Sequence, residues 1–187
     1  SLPDCLGRLS RVASHFLHFV HYFPALLGSR APAQAGKRIV IEDFVSGDEI
    51  SAHAFCDGKT FKLFPFAQDH KRLYDGDRGP NTGGMGAIAP VPWLVGDEAV
   101  SRTVFEPILS GMRKEGRTFT GCLYPGLMIT KNAGVSVLEF NARFGDPETQ
   151  VYMRLLKTDI IDIFEACIQG RLQEIEIEWY PGFAVCI

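Results

Sequence analysis

The chain has 187 residues, 46% of them apolar and 22% charged, with a formal net charge of −3. That length can bury a real core, the composition argues against a disordered chain, and the slight negative charge argues against a chain-wide nucleic-acid surface. No segment reaches the roughly eighteen uninterrupted apolar residues of a membrane helix; the nearest, Phe16 to Leu27, is broken by His18, His21 and Pro24.

Five cysteines, Cys5, Cys56, Cys122, Cys167 and Cys186, are scattered and without C-x-x-C spacing. They suggest neither a zinc site nor a disulfide framework, and read as small buried hydrophobes in a reducing compartment such as the cytoplasm.

Residues 1–37 differ in composition from the remainder of the chain and read as a leader ending in a linker, Arg30 to Lys37. His15, His18 and His21 recur every third residue but lack the acidic support that a metal site needs. The globular pattern begins at Arg38, so the expected division is 1–37 and 38–187. Arg38 to Phe44 looks like a buried strand, and Val45 to Asp48 like a turn. Glu49 to Cys56 and Thr60 to Phe66 read as strands joined through the hairpin signal Asp57-Gly58, making an antiparallel meander. The acids Glu42, Asp43, Asp48 and Glu49 gather around its first turn. By themselves they fit a solvated turn or a binding role.

Gln68 to Ala89, QDHKRLYDGDRGPNTGGMGAIA, carries five glycines among charges of both signs. Such a loop lets backbone N–H groups approach an anion, although it matches neither the Walker nor the Rossmann pattern. Glu98 to Glu115 has a helical apolar face that contains Pro107, so a kink is expected there, or a second helix starting near Glu106. Gly121 to Thr130 and Val135 to Asn141 read as a hairpin.

The exit of that hairpin is VLEFNARFGDPETQ, residues 137 to 150. Strict alternation puts Val135, Val137, Glu139 and Asn141 on one face, with Arg143 next if the strand runs on. A carboxylate, a carboxamide and a guanidinium suit a divalent metal and phosphate oxygens, though spacing alone also fits a strand with a polar end. Asp146 is the expected N-cap of the next helix, with Pro147 at the first helical position and Glu148 at the positive end of its dipole. Asp159 is expected to cap a further helix that ends at Gly170. Gly182 to Ile187 reads as a strand just begun, so the chain is expected to be a truncated one.

Taken in order, IVIEDFVSGDEIS, QDHKRLYDGDRGPNTGGMGA and VLEFNARFGDPETQ closely resemble the phosphoribosylamine–glycine ligases, or glycinamide ribonucleotide synthetases, of the ATP-grasp superfamily. The resemblance implies an α+β fold: part of an ATP-grasp C-terminal subdomain, a mostly antiparallel sheet flanked by helices. It implies an ATP-dependent carbon–nitrogen ligase that joins glycine to 5-phosphoribosylamine through a glycyl phosphate, in de novo purine synthesis. ATP and Mg²⁺, or Mn²⁺, are the implied cofactors, and no nucleic acid or membrane partner is implied. On that resemblance Glu139 and Asn141 hold the metal and Arg143 neutralises the transferring phosphoryl group. The segment Glu42, Asp43 and Phe44 pairs with adenine, Glu49 takes the ribose hydroxyls, and Asn141 also faces the nucleotide. Asp146, Pro147 and Glu148 present a helix N-terminus to the site. In this reading residues 1–37 match neither the family's lysine-bearing lid nor its N-terminal domain, and the C-terminal domain is expected to be missing as well. The isolated chain is therefore expected to bind ATP weakly and not turn over; the other reading is a non-catalytic nucleotide-binding or interaction fragment.

Overall fold

The computed structural model describes residues 43–94, 96, 98–130 and 134–187. Glu42, most of the strand expected from Arg38, the histidines of the leader and the turn at 131–133 lie outside the described residues. Asp43 and Phe44, the end of that expected strand, lie in no helix or strand. The chain divides into two compact units, residues 1–44 and 45–187, and every described helix and strand belongs to the second.

That unit opens with three short strands, β1 (Asp48–Ser51), β2 (Ala54–Asp57) and β3 (Phe61–Leu63). The turn before β3 is held by Asp57, whose Oδ1 accepts the N–H groups of Lys59 and Thr60 at 2.9 and 2.7 Å. The glycine-rich stretch is more ordered than its lack of periodicity suggests. It holds β4 (Gln68–Asp69), a small hairpin of β5 (Arg72–Tyr74) and β6 (Arg78–Asn81), and then β7 (Ala87–Ala89).

The helix expected from Glu98 changes its winding ahead of Pro107. α1 (Glu98–Val100) runs into a π-helical segment, Ser101–Phe105, and α2 (Glu106–Lys114) continues from it with the backbone right-handed helical throughout, the Glu106 N–H donating to the Ser101 carbonyl and the proline lying in the first turn of α2. Proline has no N–H to give, and the first turn is where that loss goes unnoticed. Next come β8 (Thr120–Ile129), β9 (Val135–Asn141), α3 (Glu148–Leu155), α4 (Ile160–Gln169) and β10 (Ala184–Cys186). Asp159 caps α4 through the N–H of Ile161, and Gly170 ends it in the left-handed region, both as expected.

All described strand pairs are antiparallel. β8 is the axis of the main sheet. On one side it pairs with β1 and β2, which run in a single unbroken register from Asp48 opposite Ile129 to Asp57 opposite Thr120. The ladder lapses only at Ala52 and His53, where Pro125 of β8 has no N–H to contribute. β3 lies outside β2, and β9 lies on the other side of β8. β10, β7 and β4 form a separate three-stranded sheet.

Alternation gives the main sheet two apolar faces. Ile50, Ala54, Cys56, Leu123 and Leu127 point to one, where Val104 and Phe105 of the π-helical segment and Leu109 of α2 cover them. Phe55 and Cys122 point to the other, where Val151, Tyr152 and Leu155 of α3 and Ile163 and Cys167 of α4 pack on them. Cys56, Cys122 and Cys167 are buried free thiols, and burial pushes Cys56 and Cys122 up to about 12, which makes them inert packing groups.

Candidate active site: a bulged strand and a buried polar anchor

The face under α3 carries the polar side chains, and a β-bulge puts two of them there. In β9, Val135 and Val137 lie opposite Ile129 and Leu127, whereas Glu139 and Asn141 lie opposite Gly126 and Tyr124. Leu138 is the extra residue. The four residues expected on one face are therefore divided. The valines join the face of Leu127, and Glu139 and Asn141 turn to the face of Tyr124, because one inserted residue reverses a period of two. Asn141 Nδ2 donates to Glu139 Oε1 at 3.0 Å and to the Tyr124 carbonyl at 3.3 Å.

This pair fits a divalent cation as a two-donor set. The carboxylate and the carboxamide each offer a hard oxygen from neighbouring positions on one face, and Mg²⁺ commonly takes only one or two protein oxygens, the rest coming from phosphate and water. Among the described residues no group of three or more His, Cys, Asp or Glu could hold a metal, so the protein alone builds no closed cage.

β9 ends at Asn141, so Arg143 does not continue the strand. It still reaches the same face: its Cζ lies 6.0 Å from the centre of the Tyr124 ring, and its Nη1 donates to the Phe144 carbonyl. Glu49, in register with Met128 on β1, forms an ion pair with Lys71, and Gln68 Nε2 donates to the Glu49 carbonyl. Burial alone lowers the Lys71 ammonium, and its bond to Glu49 outweighs this and raises it. Asp43 and Phe44 belong to the other unit, and Glu42 lies outside the described residues.

The turn after Arg143 departs from the expected cap. The Asp146–Pro147 peptide is cis, Pro147 occupies the N-cap position of α3, and no side chain caps the helix. Asp146 Oδ1 instead accepts from Gln150 Nε2 at 2.7 Å. Glu148 is turned inward, 1% exposed, where Ser51 Oγ and Tyr124 Oη donate to its Oε1 at 2.5 and 2.8 Å. These two bonds compensate the carboxylate for the water it has lost, so Glu148 fastens α3 to the sheet.

A buried histidine makes the second half of this anchor. His53 falls opposite Tyr124 across the strand pair and stacks on it, with ring centres 4.0 Å apart and planes at 14°. The Gly145 N–H donates to His53 Nε2 at 3.1 Å, which leaves the ring proton on Nδ1, 3.0 Å from Tyr152 Oη. Burial, helped by the nearby Arg143 charge, holds His53 down to about 3, so the ring is neutral. Ser51, His53, Tyr124 and Tyr152 were not among the residues that the sequence motifs singled out.

Asp69 lies at the edge of this region. Burial, with Glu148 next in weight, pushes it up to about 6, against which Lys71 acts and to which Glu49 and Asp146 add. A carboxyl group raised in the folded state contributes stability below its unfolded value of 3.8 and loses it as pH rises through about 6. Asp69→Asn is therefore expected to stabilise the protein at neutral pH by on the order of 1 kcal/mol, discounted for solvent screening of a half-exposed group, and to do little near pH 4. Urea unfolding at the two pH values checks this; an equal gain at both would contradict it.

The comparisons with known proteins agree on a family. Residues 10–149 match the model for the phosphoribosylglycinamide synthetase, ATP-grasp (A) domain. The chain is 44% identical over 178 residues to the bifunctional purine biosynthetic protein purD of Dictyostelium discoideum, with 82% of this chain and 22% of that protein covered. It is 44% identical over 155 residues to the phosphoribosylamine–glycine ligase of Clostridium acetobutylicum, covering 82% of this chain and 37% of that one. The crystal structure of phosphoribosylamine–glycine ligase from Thermotoga maritima superposes with a TM-score of 0.68 at 39% identity, over 77% of this chain and 36% of that one. The chain thus spans less than two fifths of the length of each of these three relatives. With an antiparallel sheet between helices and a family match over most of its length, the chain belongs to the phosphoribosylglycinamide synthetase family, within its ATP-grasp (A) domain.

Proposed function

We propose that this chain supplies the metal- and phosphate-binding side of an ATP-dependent ligase that joins glycine to 5-phosphoribosylamine. The observation that carries the reading is the bulge at Leu138, which aims Glu139 and Asn141 at the face shared by Tyr124 and Arg143. Bulges of this kind commonly re-aim side chains beside active sites. In this reading Glu139 and Asn141 would hold Mg²⁺, or Mn²⁺, which would supply positive charge against the ATP phosphates. Arg143, which forms no ion pair among the described residues, attends the transferring phosphoryl group, where positioning and electrostatics supply most of the catalysis.

The chemistry is a two-step condensation. The glycine carboxylate takes the γ-phosphoryl group of ATP and releases ADP. The amine of phosphoribosylamine then attacks the acyl carbon, phosphate leaves, and a proton is lost from nitrogen to give glycinamide ribonucleotide. Glu49, on the same side of the sheet through its register with Met128, suits the ribose hydroxyls, with Lys71 holding its carboxylate in place. The backbone around Glu42, Asp43 and Phe44 is assigned to adenine on the family resemblance alone. A cytoplasmic setting, without nucleic-acid or membrane partners, goes with this reading.

Calorimetry with ATP and Mg²⁺ tests the assignment. Glu139→Gln keeps shape and hydrogen bonding but removes the charge that the metal needs, so the Mg²⁺-dependent part of nucleotide affinity is expected to fall by tenfold or more. Unchanged Mg²⁺-dependent affinity in that variant would remove Glu139 from the metal site.

A further inference from the structure

Four contacts around Tyr124 close into a circuit. The peptide between Phe144 and Gly145 is used at both ends: its N–H donates to His53 Nε2 at 3.1 Å, and its carbonyl accepts from Arg143 Nη1 at 3.0 Å. His53 in turn stacks on the Tyr124 ring with centres 4.0 Å apart, and Arg143 Cζ lies over the same ring at 6.0 Å. His53 comes from the β1–β2 side of β8, and Arg143 follows β9 on the other side. The Tyr124 ring, which rises from β8, therefore stands between them.

Arg143 needs such a support. Its side chain is exposed, and among the described residues its one hydrogen bond goes to its own neighbour, Phe144. So local a bond leaves much of the long side chain free, and fixing it only when a ligand binds costs entropy. Tyr124 can fix it beforehand. The ring is buried, backed by His53, and tied down by its Oη, which donates to Glu148 Oε1 at 2.8 Å. A guanidinium over an aromatic face is attracted by the ring and keeps its N–H donors available along its edge.

We infer that Tyr124 is a positioning residue for Arg143: its ring, backed by His53, holds the guanidinium on the face of Glu139 and Asn141 before any anion arrives. The inference rests on the ligase reading for the identity of that anion, the phosphates of ATP. It also divides the tyrosine into two tasks. The hydroxyl fastens α3 through Glu148, and the ring orients Arg143.

The test uses the whole chain and the Nε–Hε resonance of Arg143, assigned by its loss in Arg143→Lys. In the parent it is expected upfield of an unstacked arginine, because it feels the ring current of Tyr124. Tyr124→Leu is expected to return it to the unstacked position and to weaken Mg²⁺-ATP binding about fivefold. Tyr124→Phe, which keeps the ring, should restore both the signal and the affinity, to within twofold of the parent, although its melting temperature falls with the loss of the Glu148 bond. A role in stability alone would not separate affinity from melting in this way. Should Tyr124→Leu fail to fold, 3,4,5-trifluorophenylalanine in place of Tyr124 keeps the ring's shape but makes its face electron-poor, and the signal and the affinity should both move away from those of Tyr124→Phe. An Arg143 signal indifferent to these changes, or Mg²⁺-ATP binding by either variant as tight as that of Tyr124→Phe, overturns the inference. A shifted Arg143 signal in a parent chain that binds no Mg²⁺-ATP would overturn the ligase reading and leave the placement of Arg143 standing.

Discussion

Acidification from pH 7 to 4 is expected to remove about 3 kcal/mol of stability through His53 alone, at about 1.4 kcal/mol per pH unit below the unfolded value near 6.5. The ring is held near 3 in the folded protein, first by burial and second by Arg143, while in the unfolded chain it protonates at its ordinary value of 6.5. A depressed folded value means that the contribution is complete above 6.5 and drains away as pH falls toward 3. Protonation would also put a second proton on the ring at Nε2, the atom that accepts the Gly145 N–H, and so break that bond. Asp69 works in the opposite direction between 3.8 and about 6 and offsets part of this loss, while Asp57, whose burial is outweighed by three backbone N–H donors that hold it below its ordinary value, adds to the loss at the acid end. Urea unfolding across this range should show a shallow fall in the parent protein, a flatter profile in His53→Gln, and a steeper one in Asp69→Asn. A His53→Gln profile that matches the parent would sink the assignment.

Gly145→Ala is expected to be nearly as damaging at neutral pH, costing about 3 kcal/mol from overpacking and broken hydrogen bonds together. An added Cβ would lie 2.4 Å from Glu148 Oε2, 2.7 Å from its Cδ and 3.0 Å from His53 Nε2. Neither neighbour can yield cheaply. Glu148 is fixed by Ser51 and Tyr124, and His53 by its stack on Tyr124 and its bond to Tyr152. For a chain of this size the loss corresponds to a melting temperature lower by roughly 6 to 12 °C. Calorimetric melting checks it, and a drop of less than about 2 °C would show that the anchor is looser than its distances indicate.

Much of this architecture was legible in the sequence, and the parts that were not share a cause. The limits of β9, the change of winding ahead of Pro107 and both caps of α4 follow from local signals: alternation, a proline, an aspartate and a glycine within a few residues of the feature they set. The bulge at Leu138 carries no such signal, because it is a property of how β9 lies against β8. The buried anchor is likewise invisible locally. Ser51 and Tyr124 are 73 residues apart, and His53 and Tyr152 are 99 apart. The partners of Glu148 are hidden for the same reason: it opens α3 at the positive end of the helix dipole as expected, but the two hydroxyls that bind it come from distant strands. Glu139, Asn141 and Arg143 were singled out by residue type, and the structure brings them to one face by a route that simple alternation does not anticipate.

The extra residue in β9 makes the direction of two side chains a matter of parity. Drawing Leu138 into the ladder would restore strict alternation from Val137 and swing the carboxylate and the carboxamide to the side of Leu127 and Ile129, among apolar groups. What matters to this arrangement is that Leu138 stays out of the ladder. In this strand the pairing register, set to the single residue, decides which side of the sheet can meet a cation.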